Sequence, residues 1–283
     1  MNKLLYLSDD EVQSQLAAKY DLLVHFGPKN LQYAIIDAGQ KETKVLAEYE
    51  IPALATTSEL IHSFENLPES NRQFRFAFNK VKISFTTSNY TFIPADLFEE
   101  SDQQQYGEYI NLTDARDVLV DTISSAQIKN VTAIDSDFKT ALAGIFNNHS
   151  IYNQASPFLE GAQKALQRDS ESIIFIDFQP EYFQISYYKN FKLEFYNTFE
   201  YQNADEFNYY LLNVIQSLEI VLGDTQIVLS GKISKQDEVY QRIGKYFETV
   251  RLSDAADLNK YSSKFGEVQA HTFSTLFSLD LCE

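Results

Sequence analysis

Residues able to do chemistry are thinly spread through this chain. The four histidines, His25, His62, His149 and His271, show neither H-x-x-x-H nor H-E-x-x-H spacing, so none pairs with another across one helix face as metal ligands do. Cys282 is the single cysteine, which excludes an intrachain disulfide and a thiolate cluster. Asp135 and Asp137 are close enough to pair as acid and base. They also stand where an apolar strand run meets a helical pattern, and capping by Asp137 of the helix through "FKTALAGIF" is the simpler use. No G-x-S-x-G elbow and no G-x-x-x-x-G-K-[ST] loop is present, so hydrolase and P-loop readings have no support. What remains is a phrase written twice, "VHFGPKNLQYAII" from Val24 and "IDFQPEYFQISYY" from Ile176, and a third turn, Ser230-Gly231-Lys232.

The elements that would position these residues read clearly. "LLVHF", "LQYAIID" and "KVLAEYEI" are three successive strands, joined by Gly27-Pro28-Lys29-Asn30 and Asp37-Ala38-Gly39-Gln40, both good turn chemistry. A helix is expected from Ser58, then strands at "QFRFAF", "KVKISFTT" and "YTFIPADLF". "SDQQQYGEYINLTD" reads as a polar loop, "VLVDTIS" and "NVTAIDS" as strands, and "PFLEGAQKALQ" as a helix entered by Pro157. After the polar break "RDSES" the plan restarts, with "SIIFIDF", "YFQISYY" and "KLEFYNTFEY" as strands. A helix capped near Asn203 or Asp205 runs from there to about Val221. The short strand "QIVLSG", a helix at "QDEVYQRIGKYF" and the strand "TVRLS" follow.

At an offset of 152, residues 22–49 match 174–201 at six positions: Phe26/Phe178, Pro28/Pro180, Gln32/Gln184, Glu42/Glu194, Glu48/Glu200 and Tyr49/Tyr201. Strand, turn, strand, turn, strand and helix recur in one order, which predicts a duplicated α/β architecture with lobes at 1–169 and 170–283.

Composition bounds the partners. The formal net charge of -17 argues against nucleic acid, whose binding draws on clustered Lys and Arg. No window approaches 18 consecutive apolar residues, and the apolar run in "MNKLLYLSDDEV" is too short for a signal peptide. The expectation is a cytoplasmic protein with no membrane insertion. The adjacent aromatics Tyr182-Phe183, Tyr187-Tyr188 and Tyr209-Tyr210 serve either internal packing or a protein interface.

The duplicated meander, with "YTFIPADLF", "AIDSDFKTALAGIF", "IIFIDFQPEYFQI", "IVLSGKIS" and the closing "LCE", resembles an uncharacterised bacterial family, domain of unknown function 3822. That resemblance implies the actin-like ATPase (RNase H-like) fold: two lobes, each a mixed sheet flanked by helices, facing each other across a cleft. In that superfold the two hairpin tips grip phosphates through glycine and free amides, an acid holds Mg²⁺ through water, and a Gly-rich turn packs on adenosine. Mapped onto this chain, those positions are Gly27, Asp177 and Gly231, and Lys29 and Lys232 beside them would be phosphate contacts new to this chain. Each element departs from the pattern. His25 stands where the first acid belongs, Gln179 where the second glycine belongs, and Pro28 and Pro180 bring no N–H donor. The expectation is a protein with no cofactor, acting as a protein-binding or scaffolding module. The alternative is a divergent ATPase using ATP and Mg²⁺.

Overall fold

The computed structural model describes residues 1–9, 12–52, 62, 76–110, 116–146, 148–166, 171–254, 258, 260–262, 265 and 268–283. The chain forms two compact units. One comprises Met1–Pro157, Ala256–Val268 and Leu276–Glu283, the other Phe158–Ala255 and Gln269–Thr275. The chain thus returns to the first unit after the second.

In the first unit β1 (Asn2–Ser8), β2 (Tyr20–Phe26), β3 (Asn30–Asp37), β4 (Glu42–Glu50), β5 (Lys80–Phe85) and β9 (His149–Asn153) form a sheet in the order β1-β4-β3-β2-β5-β9, with the short β15 (Lys260–Tyr261) also pairing with β4. β2, β3 and β4 are successive antiparallel neighbours, while β5 runs parallel to β2 and β9 parallel to β5. Leu22, Val24, Phe26, Leu31, Tyr33, Ile35, Val45 and Tyr49 alternate onto one face, where Phe138 and Leu142 of a later helix close the core. A small antiparallel sheet, β6 (Tyr90–Pro94), β7 (Arg116–Ile123) and β8 (Ile128–Asp135) in the order β6-β8-β7, belongs to this unit. Among the described residues its helical segments include α1 (Gln103–Tyr106), α2 (Ser136–Ile145) and the start of α3 (Ala155–Ala165).

The second unit repeats the plan. β10 (Ser172–Gln179), β11 (Tyr182–Lys189) and β12 (Lys192–Glu200) form a meander, and β13 (Gln226–Gly231) and β14 (Val250–Leu252) extend it in the order β12-β11-β10-β13-β14. α4 (Ala204–Ser217) lays Phe207, Leu211, Val214 and Ile215 on one face of this sheet, with Ile243 from α5 (Glu238–Ile243) beside them. The opposite face is covered as well. Tyr188 donates to the Leu159 carbonyl of α3 at 3.3 Å, and the Phe158 and Tyr196 rings lie 5.9 Å apart. Both members of the pairs Tyr182-Phe183 and Tyr187-Tyr188 are therefore buried, whereas Tyr209 on α4 is exposed.

The duplication holds at the level of register. Val24↔Tyr33, His25↔Gln32 and Phe26↔Leu31 in the first hairpin correspond, 152 residues on, to Ile176↔Ile185, Asp177↔Gln184 and Phe178↔Phe183. The third strand is displaced. Gln32 faces Glu48 but Gln184 faces Thr198, because four residues (38–41) join β3 to β4 and only Asn190 and Phe191 join β11 to β12. The offset there is 150, so Glu42/Glu194, Glu48/Glu200 and Tyr49/Tyr201 are not structural equivalents, while the other three identities are. A bulge sits at the same place in both units, at Ile35/Ile36 and at Tyr187/Tyr188.

Several local expectations change. Asp135, not Asp137, caps α2, its carboxylate accepting the Phe138 amide at 2.9 Å, because β8 runs on to Asp135 before the backbone turns. β1 and β9 are strands the periodicity did not show; the apolar content of each is short, and ladder partners far along the chain decide them. Short helical turns at Glu100–Asp102, α1 and Gly107–Tyr109 replace the expected loop. α4 ends at Ser217, and its cap is Asn203, which accepts from the amides of Asp205 and Glu206. Of the helix expected from Ser58 only His62 is among the described residues; residues 73–75 of "QFRFAF" and 168–170 of "RDSES" also lie outside them, and the described remainder of "QFRFAF", residues 76–78, forms no strand.

Candidate functional site

The two hairpin tips and the turn after β13 carry Gly27, Lys29, Asp177, Gly231 and Lys232. In the first unit a polar row crosses one sheet face, Ser84-His25-Gln32-Glu48, one residue from each of β5, β2, β3 and β4. All four are buried. His25 Nδ1 lies 2.8 Å from Ser84 Oγ, while its Nε2 has no partner. Burial drives the His25 pKa down to about 4, so the ring is neutral at physiological pH. Gln32 donates to Glu48 at 3.1 Å. At the tip the Gly27 amide donates to the Asn30 carbonyl at 2.8 Å and the Lys29 carbonyl accepts the Ile51 amide at 2.7 Å, so both are engaged in the turn. Lys29 itself is half-buried.

The second unit carries the matching row Ser230-Asp177-Gln184-Thr198. Asp177 is 0% exposed. Ser230 donates to its Oδ1 at 2.7 Å, and Gln179 and Gln184 donate to Oδ2 at 2.8 and 3.3 Å. Burial raises its pKa, opposed by these three side chains and by Thr275. The sequence signal for this arrangement was the glutamine shared by the two copies of the repeated phrase, Gln32 and Gln184. Ser84 was missed and Ser230 was read only as part of the third turn, since nothing but the ladder places a serine of "KISF" or "VLSG" beside the hairpin.

Gly231 follows directly. It has φ +79°, and a Cβ built there would lie 2.0 Å from the Phe178 carbonyl oxygen, so the position needs glycine to let two strands approach. The amides beyond it are engaged: Lys232 donates to Phe178 at 2.7 Å, Ile233 to Gly231 at 3.0 Å and Ser234 to Asp237 at 2.8 Å. The exposed Lys232 holds its ammonium 5.6 Å from the centre of the Phe273 ring. The fold thus brings Asp177, Gly231 and Lys232 together in the second unit and sets Gly27 and Lys29 at the first unit's tip.

Beside the second tip is a groove of about 790 Å³ lined by Glu181, Glu200, Tyr201, Gln202, Glu206 and Tyr210. Its field is negative, with three carboxylates and no cation among the lining residues. Glu181 occupies the turn with φ 70°, where glycine is the usual residue. Among the described residues no group of three or more His, Cys, Asp or Glu side chains is placed to hold a metal ion. Nor is any helix of these residues long and apolar enough to cross a membrane.

The model of a family of proteins of unknown function, DUF3822, matches residues 9–250. The chain belongs to that family. No curated protein matches the sequence significantly. Among solved structures, a Bacteroides thetaiotaomicron protein with an actin-like ATPase fold and unknown function aligns over 96% of this chain and 99% of its own, at 18% identity and a TM-score of 0.79. The PilM–PilN type IV pilus biogenesis complex aligns over 92% of this chain and 97% of its matched chain, at 12% identity and a TM-score of 0.68. These DUF3822 residues therefore adopt the actin-like ATPase fold, as the repeated meander implied. At such identities the likeness concerns fold alone.

Proposed function

We propose that this protein is a non-catalytic, actin-like binding or scaffolding module of the cytoplasm, with a protein as its partner and with no nucleic acid or nucleotide bound. The observation that carries the reading is Asp177. The acid that would hold Mg²⁺ through water is fully buried and already accepts hydrogen bonds from Gln179, Gln184 and Ser230. Reaching a metal-bound water would require breaking those bonds. Further support comes from the turns, where the amides of Gly27, Lys232, Ile233 and Ser234 all donate within the chain and the two prolines have none to give. Each missing amide–phosphate bond forgoes about 1.5–3 kcal/mol, and two or three of them remove roughly two to six decades of affinity. The carboxylates of Glu181, Glu200 and Glu206 would also repel a triphosphate at the second tip. That one matched chain comes from the PilM–PilN complex motivates a protein partner.

The alternative is a divergent ATPase in which Gly27 and Gly231 give backbone access, Lys29 and Lys232 supply charge and Asp177 handles Mg²⁺. Exposed Lys232 is what favours it. Isothermal titration of the full chain with ATP and Mg²⁺ separates the two. We expect no heat of binding at tens of micromolar protein. A micromolar Kd, or hydrolysis that Asp177→Ala abolishes, would overturn the proposal.

A further inference from the structure

Asp121 on β7 has no part in the site above, yet it holds the segment through which the chain leaves the first unit. That passage occurs inside α3, between Pro157 and Phe158. Just before it, Asp121 Oδ2 accepts the Asn153 amide at 2.8 Å and Oδ1 accepts the Ser156 hydroxyl at 2.8 Å. Asn153 in turn accepts the Ala155 amide at 2.9 Å, so the first turn of α3 hangs from one carboxyl group. Asp121 is 6% exposed and faces Asn130 across the ladder.

We propose that Asp121 is a pH-responsive latch on the first turn of α3: with the carboxyl neutral the turn stays closed, and with it ionised the turn opens far more often.

The charge environment makes the group a sensor. Asn130 from β8, Asn153 at the end of β9 and Ser156 of α3 donate to it, and all are uncharged. The ionisable neighbour is Tyr152 on β9, whose own pKa is raised by burial, with Asp121 among the further causes, so it stays neutral. On β7 itself the nearest charge, Asp117, is engaged by Lys139 of α2 at 2.9 Å. Among the described residues no cation therefore offsets the burial of Asp121. That burial lifts its pKa to about 7, against the hydrogen bonds from Asn153, Ser156 and Asn130.

Because the closed form has the higher pKa, protonation favours it. Closure is fully supported below the ordinary carboxyl pKa near 3.8 and weakens as pH rises to about 7. If opening returns the group to water, the open fraction rises about tenfold from pH 6 to pH 8 and about 100-fold from pH 5 to pH 8.

The test is amide hydrogen exchange of the full chain between pH 5 and 8, corrected for the intrinsic pH dependence. Protection at Asn153, Ala155 and Ser156 is expected to fall about 100-fold across that range, and the Asp121→Asn variant is expected to show a flat profile. A wild-type change below about threefold, or the same slope in the variant, overturns the latch. Should the variant fail to fold, ¹³C titration of the Asp121 carboxyl in the wild type decides: a midpoint near 7 supports the proposal and one below 5 refutes it.

Discussion

Replacing Gly231 with alanine separates a glycine kept for a ligand from one kept for the fold. At φ +79° an alanine costs about 1–2 kcal/mol in backbone energy alone. Its Cβ would also stand 2.0 Å from the oxygen, 2.8 Å from the nitrogen and 2.9 Å from the carbonyl carbon of Phe178. All three are backbone atoms of the adjacent strand and cannot rotate away. The end of β13 must move off β10, losing the 2.7 Å Lys232–Phe178 hydrogen bond, about 1 kcal/mol. Local overpacking adds about 1–3 kcal/mol. The total is about 3–6 kcal/mol, which at a urea dependence of about 2 kcal/mol per M lowers the midpoint by roughly 2 M. Gly27 is the control. A Cβ there meets the Asn30 Oδ1 at 2.1 Å, but that is the end of a side chain able to swing aside, so Gly27→Ala should cost about 1 kcal/mol or less. Urea titrations of both variants by far-ultraviolet circular dichroism check the pair. The reasoning is refuted if Gly231→Ala unfolds within 1 kcal/mol of wild type, or if the two substitutions cost the same.

Two further outcomes are expected. His25 is neutral and buried with a pKa lowered from 6.5 to about 4, so its contribution is complete above 6.5 and declines as pH falls toward 4, by about 3 kcal/mol in all. The stability difference between wild type and His25→Gln should shrink by that amount from pH 7 to pH 4; a constant difference would show that the ring is not buried neutral. Glu181→Gly should raise stability by about 0.5–1 kcal/mol, because Pro180 followed by a residue at φ 70° is a turn built for Pro-Gly. A lower urea midpoint in that variant would contradict the turn geometry.

Much of the architecture was legible because it is local. Apolar runs broken by Gly-Pro, Gln-Pro and Lys-Asn turns determined both hairpins, their registers and the repeat; Asn203 or Asp205 before a 3.6-residue pattern marked the start of α4. Turn length was written there too, since two fewer residues between β11 and β12 are what move the third strand by two. The local chemistry of turns and periodicity is enough for such features, whatever the rest of the chain does.

Only the tertiary structure decided what the candidate residues do. In sequence, Asp177 reads as the acid kept at the second hairpin tip. Folded, it is an internal acceptor, because Ser230, 53 residues away, arrives on a parallel strand and Thr275 arrives from the last part of the chain. Gly231 reads as the one glycine kept in a turn that would pack on adenosine and proves to be a contact between two strands. Asp121 carried no signal at all, since its meaning lies in Asn153 and Ser156, which β9 and α3 bring to it. Burial and hydrogen-bond partners come from segments distant along the chain, and a carboxyl group's chemistry is set by that surrounding, not by its neighbours in sequence.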